Sequence, residues 1–190
     1  MKFLYSSATL IALMSAPATA NEFEPLMRAF YDDEIGRWAQ SDVLVRAITE
    51  QNARTTAYDQ AQIDALDQAW RAEVGAADTP TITPVLTNTA SDFLREQVAS
   101  SQGAITEIFV MDARGLNVAA SDVTSDYWQG DEAKFTETHG VGVGAVHIGD
   151  VEFDDSTQRY QGQVSLTIVD PATGQPIGAM TVGVDVESLM

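Results

Sequence analysis

The period of the apolar pattern changes once along the chain, at Gly103, and that change restricts the fold more than any other feature. Before it, apolar residues recur three and four positions apart, which places them on one face of a helix. After it they alternate or gather in β-branched runs, as strands do. Over 22–52 the helical positions are Phe23, Leu26 or Met27, Phe30, Trp38, Val45 and Ile48. Gly36 interrupts this stretch and Ser41-Asp42 offers a fresh start, so the pattern admits one bent helix or two. Some thirty helical residues would reach about 45 Å, so such a helix needs a partner along its length. A second helix opens at Asp59, whose carboxylate can cap the first turn while Gln62 reaches back. It runs through Ile63, Leu66, Trp70 and Val74 to a left-handed stop at Gly75. After a Thr-Pro connection at 79–84, a third, shorter helix has Ser91 as its cap, then Phe93, Leu94, Gln97 and Val98, and ends at Gly103.

Strands are expected at 105–111, 116–121, 145–148, 160–170 and 177–186. The first two are joined through Asp112-Ala-Arg-Gly115 and the last two through Asp170-Pro-Ala-Thr-Gly174. Each pairs an Asp start with a Gly that accepts positive φ, as short hairpin connections require, so these neighbours are antiparallel. Helices followed by an antiparallel sheet make an α+β domain in which the long helix covers one sheet face. With a length close to one domain unit, 21–190 is expected to be a single domain, helical over 21–102 and sheet over 103–190.

Residues 1–20 have a different character. Lys2 precedes an apolar run over 3–14 and a small-x-small ending at Ala20, the pattern of a cleaved secretory signal peptide. The run is too short for the roughly 20 residues of a membrane span, and no later segment approaches that length. A soluble periplasmic or secreted product without a membrane span is therefore expected.

Composition narrows the chemistry. The chain has 28 Asp and Glu against 10 Lys and Arg, a formal charge of −18, and no cysteine. Without thiols there is no disulfide scaffold, zinc ribbon, iron–sulfur ligation or cysteine nucleophile. The charge opposes phosphate backbones, so nucleic acid is a poor partner. The two histidines, His139 and His147, sit in no metalloprotease, deaminase or nucleophile-elbow context, and are read as an exposed loop residue and a strand residue. Gly140-Val-Gly-Val-Gly144 lacks the preceding strand and following helix of a phosphate cradle. Asp150, Glu152, Asp154 and Asp155 fail the EF-hand order because Asp155 stands where Gly is needed, and read as a solvated acidic turn. No catalytic residue, metal site or cofactor is expected.

The strongest signal is the one long connection, 122–144. Connections longer than about 12 to 15 residues in a compact domain are usually functional. Asp126, Tyr127, Trp128, Gln129, Asp131 and Lys134 bring together two aromatic rings, two carboxylates, an amide and a cation, the mixture that small-ligand pockets use. Lys134 is the one lysine beyond residue 20 and could pair with a ligand carboxylate. The alternative is packing: Tyr127 and Trp128 pin the loop to the sheet, and Lys134 pairs with Asp131 or Glu132.

Five segments carry a resemblance over nearly the whole of 21–190. They are Ile48-Thr-Glu-Gln-Asn52, Ile63-Asp-Ala-Leu-Asp-Gln-Ala-Trp-Arg71, Thr106-Glu-Ile-Phe-Val-Met-Asp-Ala-Arg-Gly-Leu-Asn117, Thr124-Ser-Asp-Tyr-Trp-Gln-Gly-Asp-Glu-Ala-Lys134 and Val182-Gly-Val-Asp185. In these the sequence resembles the extracytoplasmic PDC sensor domains, also called single Cache domains. The resemblance implies a PAS-like sheet of about five strands behind a long N-terminal helix. It also implies a small ligand, often a carboxylate or amino acid, held on the sheet beneath the loop between the second and third strands, where Tyr127 to Lys134 fall. The Arg and aromatic arrangement associated with amino-acid-binding double Cache domains is missing, so amino-acid specificity does not carry over. The sequence stops at Glu187-Ser-Leu-Met190, where a membrane-bound sensor would enter its second transmembrane helix, so signalling is expected to need a partner.

The resulting expectation is a sensor-like domain that binds a small molecule, either an organic acid, an amino acid or a cationic metabolite, without catalysis. It would act through a homodimer mate or a membrane receptor. The rivals are an assembly domain with no small ligand and, further behind, a hydrolase. The half after residue 102 holds 14 acids and 3 bases, so an anionic ligand would depend heavily on Lys134, while a cationic or zwitterionic one would be steered in.

Overall fold

The structure is a computed structural model that describes residues 22–154 and 159–190. The expected signal segment and Asp155 of the acid cluster lie outside the described residues. The N-terminal stretch forms two helical segments divided at the expected Ser41-Asp42 restart, the first of them irregular. Helix α1 (Glu24–Phe30), with a proline in its first turn, runs into a single π-helical stretch at Tyr31–Ile35 and a short α2 (Gly36–Trp38). The chain breaks at Ser41, which is extended, and restarts as α3 (Asp42–Thr55). Helix α4 (Gln60–Glu73) begins with the expected reciprocal cap between Asp59 and Gln62, and Gly75 follows at φ +78°.

Two expectations for the next stretch need correction. The Thr-Pro connection contains a helix, α5 (Ile82–Leu86), which tolerates Pro84 because a proline in the first turn removes no intrahelical bond. The cap of α6 (Thr89–Ser100) is Asn88, three residues ahead of the expected Ser91. The Asn88 side chain accepts from the Ser91 N–H at 2.9 Å. Ser91 is instead fully buried in the first turn, where its hydroxyl donates to Val85 O and accepts the Ala120 N–H at 3.1 Å.

The sheet has six strands rather than about five: β1 (Ile105–Asp112), β2 (Asn117–Ala120), β3 (Val146–Ile148), β4 (Glu152–Asp154), β5 (Arg159–Val169) and β6 (Pro176–Asp185). The extra strand is β4, which takes up part of the expected acidic turn by pairing with β5. All pairings are antiparallel, and the order is β2-β1-β6-β5-β3, with β4 following β3 along the same edge of β5. This is a PAS-like α+β arrangement. Both expected hairpins, β1–β2 and β5–β6, are present.

The two sheet faces differ chemically, because side chains alternate along each strand. One face is aliphatic across β1, β6, β5 and β3. Ile108, Val182, Val164 and Ile148 are cross-strand partners in one row, and Val110, Met180, Leu166 and Val146 in the next. Helices α3 and α6 cover this face with Leu44, Ile48 and Leu94, all without measurable exposure. The opposite face is apolar only near β1 and β2, where Phe109, Met111, Leu116 and Ala120 meet Ile63 and Trp70 of α4.

Three carboxyls hold chain reversals together and make stability pH-dependent. The Asp185 side chain closes a terminal 3₁₀ turn (Val186–Leu189) through Ser188 Oγ at 2.7 Å and pairs with Arg159. Glu73 accepts the N–H groups of Thr81 and Ile82 at 2.7 and 3.0 Å, and Asp170 accepts Ala172 N–H and Thr173 Oγ1 in the β5–β6 turn. Burial alone would raise Asp185 and Glu73, but these hydrogen bonds outweigh it. For Asp170 the bond from the Ala172 N–H leads. All three carboxyls lie below their ordinary values. A carboxyl depressed by folding adds stability above its unfolded pKa, about 4, and loses it as pH falls through the folded value. The urea midpoint of Asp185→Asn is therefore expected below that of the parent at pH 7, the gap closing between about pH 4 and pH 2. A gap independent of pH would refute this assignment.

Candidate functional site

The loop over 122–144 crosses the second sheet face and is clasped chiefly by α4. Asp67 Oδ1 accepts the backbone N–H groups of Tyr127 and Trp128 at 2.9 and 3.1 Å. The Trp70 indole stacks on the Tyr127 ring at 5.3 Å between centroids and donates through Nε1 to Thr124 O at 2.8 Å. Arg71 bridges Asp67 and Asp126, at 2.7 and 3.2 Å. The loop also seats on the β1–β2 turn. Gly115, at φ +78°, lies so close to Gly130 that a Cβ would fall 2.5 Å from the Gly130 Cα. Trp128 Nε1 donates to Arg114 O at 2.8 Å.

The six loop residues singled out in the sequence therefore separate into groups. Tyr127 is buried against Trp70, and burial, with the nearby charge of Asp112, pushes its phenol up to about 12. Its ring faces a groove on the α3 side of the domain. Asp126, Gln129 and Lys134 form a chain: the buried Gln129 amide donates to Asp126, and its Oε1 accepts from Lys134 Nζ at 3.3 Å. Lys134 pairs with Glu132 at 2.9 Å, and its ammonium stands 5.4 Å from the centre of the Phe109 ring. Trp128 is half-buried on the β1–β2 turn and Asp131 is exposed. The ion pair of Lys134 with Glu132 and the docking of both aromatics match the packing alternative at those contacts.

Beyond Phe109 the loop passes through a short helix, α7 (Ala133–Thr136), which lies over β5 and β6. The sheet beneath it is polar. Phe109, Thr181, Ser165 and His147 are successive cross-strand partners in one row across β1, β6, β5 and β3. Thr181 and Ser165 are fully buried and share a hydrogen bond at 3.0 Å. In the next row Thr167 is 3% exposed, and its hydroxyl has no hydrogen-bond partner. On the other side, Gln163 and Glu107 meet at 3.5 Å across Gly183, where a Cβ would stand 2.7 Å from Glu107 Cγ. Beyond the His147 end of this row a groove of about 720 Å³ opens past Ala133, lined by Glu107, His147, Asp150, Glu152 and Gln163 among others. Its charged lining is acidic, without Lys or Arg.

His139 is not the exposed loop residue expected. It is half-buried and stacks on Phe135 at 4.9 Å, and burial lowers its pKa, opposed by Asp112. Among the described residues no group of three or more His, Asp or Glu side chains is placed to hold a metal ion. Sequence reading missed the floor residues Ser165, Thr167 and Thr181 and the α4 clasp of Asp67 and Trp70. The floor had a legible signal, the alternation Gln161, Gln163, Ser165, Thr167 on a strand whose other face is wholly apolar. The clasp had none, since Asp67 lies on an ordinary amphipathic helix.

Among the described residues no helix is long and apolar enough to cross a membrane. No family model matches the chain, and no curated protein matches it. Several solved structures are similar to it. The sensor domain of the Vibrio cholerae histidine kinase DctB is 12% identical, with 89% of this chain and 57% of that one covered, at a TM-score of 0.40. The sensory domain of the Campylobacter jejuni chemoreceptor Tlp3 with isoleucine bound is 15% identical, covering 87% and 65%, at 0.41. An extracellular ligand-binding receptor from Desulfohalobium retbaense is 18% identical, covering 80% and 27%, at 0.39. The chain spans less than two thirds of each of these proteins.

Proposed function

We propose that this protein is an extracytoplasmic sensor-like domain that binds a small molecule between the 122–144 loop and its sheet, without chemistry, and passes its state to a partner. The observation that carries this reading is the polar row under α7. Buried hydroxyls at the centre of a sheet are costly unless something uses them, and the one beside this row, on Thr167, is unpaired. The adjoining groove falls within the size range of small-ligand sites. Its carboxylates favour a ligand carrying an amine, so a cationic or zwitterionic molecule fits better than a simple organic acid. Lys134, at the loop side of the floor, is the group to meet a carboxylate on a zwitterion. Enclosure of the ligand would shift the packing of α7 and of the loop around Tyr127 and Trp128, altering the surface offered to a partner.

The test is a thermal-shift screen with amines, amino acids and dicarboxylates, followed by calorimetry on variants. An amine-bearing ligand is expected to raise the melting temperature. Its affinity should fall about tenfold in Glu107→Gln and in Thr181→Val. Lys134→Ala should weaken only ligands that also carry a carboxylate, and Trp128→Ala should weaken all by loosening the loop. Binding that none of the four changes affects would move the site elsewhere. The second reading, an assembly domain with no small ligand, is favoured by the Trp70–Tyr127 stack that fills the space under that part of the loop. A screen without a single stabilising ligand would support it.

A further inference from the structure

On the other side of the molecule, the outward stripe of α3 carries a charge pattern that neither the fold nor the ligand reading uses. Asp42, Arg46, Glu50 and Arg54 follow one another at four-residue spacing, with Thr49 and Ala53 between them, and all six are exposed. Such a ladder would ordinarily form ion pairs within its own helix. Here none is made: among the described residues, the ion pairs of Arg37, Arg71, Arg95, Lys134 and Arg159 all lie outside α3. The Arg54 side chain donates to the Glu50 carbonyl, and among the described residues the Arg46 side chain makes no hydrogen bond. The ladder itself forms one rim of an open groove of about 770 Å³, with Val43 and Ala47 below it on α3 and Pro80 and Pro84 across from it.

We propose that this face binds a second copy of the chain, α3 against α3 in antiparallel order about a two-fold axis level with residue 48. The pattern is complementary to itself in that one arrangement. Residues whose numbers are equidistant from 48 face each other, so Asp42 meets Arg54 and Arg46 meets Glu50, each pair occurring twice. Ala53 then faces Val43 and Thr49 faces Ala47, small side chains that let two helices approach. Parallel in-register pairing would set every charge against its own kind. A parallel four-residue offset would pair opposite charges, but it is heterologous and does not close. Electrostatics favour this face over others. The chain carries 28 acids against 10 bases, so two copies repel over most of their surface, whereas this stripe is locally neutral.

Sedimentation equilibrium on the whole protein tests the proposal, with circular dichroism to confirm that each variant is folded, as expected for exposed positions. At about 0.15 M salt, where the repulsion between two strongly acidic copies is largely screened beyond about 8 Å, a dimer is expected, and it should weaken at about 1 M as the contact pairs are screened in turn. Arg46→Glu and Glu50→Arg should each weaken it about tenfold, because the two-fold axis converts one substitution into two like-charge contacts. The double variant R46E/E50R should return to within about threefold of the parent, since the pair is exchanged across the axis. Arg37→Glu, the same change in net charge away from α3, should leave the dimer within about threefold. A monomer at about 0.15 M salt, a double variant as weak as the singles, or an equal effect of Arg37→Glu would each overturn it.

Discussion

Replacing Asp112 by alanine is expected to lower the melting temperature by about 10 °C, the loss of about 4 kcal/mol. The residue is fully buried at the end of β1 and accepts four hydrogen bonds. Gln51 Nε2 and Thr55 Oγ1 of α3 reach Oδ2 at 3.1 and 2.8 Å, and the N–H groups of Arg114 and Leu116 reach Oδ1 at 2.8 and 3.0 Å. One carboxylate thus fastens the helix that covers the aliphatic face to the turn on which the loop is seated. Alanine leaves the Leu116 N–H unpaired in the interior and the Arg114 N–H unpaired at its edge, and an uncompensated buried donor costs about 1 to 3 kcal/mol. Asparagine keeps an acceptor for the turn but turns its amide group toward existing donors, so it should recover roughly half of the loss. Differential scanning calorimetry on the two variants decides the matter. A shift below about 3 °C for alanine would mean that the turn is held by its backbone ladder instead.

The second large effect is expected at Trp70. Truncation to alanine removes the largest fully buried side chain, its stack on Tyr127 and its bond to Thr124 O. A loss of about 4 kcal/mol is expected. The local consequence is more informative than the global one. The Tyr127 and Trp128 amides, both held by Asp67, should exchange with solvent far faster in Trp70→Ala, while those of Val164 and Val182 on the central strands should accelerate only as far as overall stability falls. Trp70→Phe retains a ring but not the indole donor and should cost about 1 kcal/mol, with the loop still protected. Uniform acceleration of all amides would show that the loop is no separate unit. Any ligand held beneath the loop should then bind Trp70→Ala weakly, because ordering the loop would be charged against binding.

The ease with which parts of this fold are read from sequence follows from how local their causes are. The Asp59–Gln62 cap, the stop at Gly75 and both hairpin turns depend on side chains within a few residues of each other, and each stands where its pattern places it. Ser91 misled because capping preference is local but its actual partners are not: Val85 and Ala120 come from another helix and from β2. Strand β4 was hidden by its acidic residues, which are tolerated at a sheet edge where one side of each residue meets water. The loop was legible as an unusual stretch, yet residue types alone could not distinguish a pocket from a plug. Whether Tyr127 opens onto a ligand or closes onto Trp70 depends on a helix 54 or more residues earlier in the chain.

By itself the sequence determined the class of fold, the division at Gly103, the acidity and the want of thiols, because each rests on periodicity or composition. Tertiary structure alone decided that one sheet face is aliphatic and the other polar at its centre. A single strand shows alternation, but only pairing aligns Phe109, Thr181, Ser165 and His147 into one row. It also decided which charges are spent inside the molecule. Arg71 and Arg159 find Asp126 and Asp185 only through folding, while the ladder on α3, with partners four residues away in sequence, is left facing outward. Side-chain pairing is a property of distance, and distance between remote residues exists only once the chain is folded.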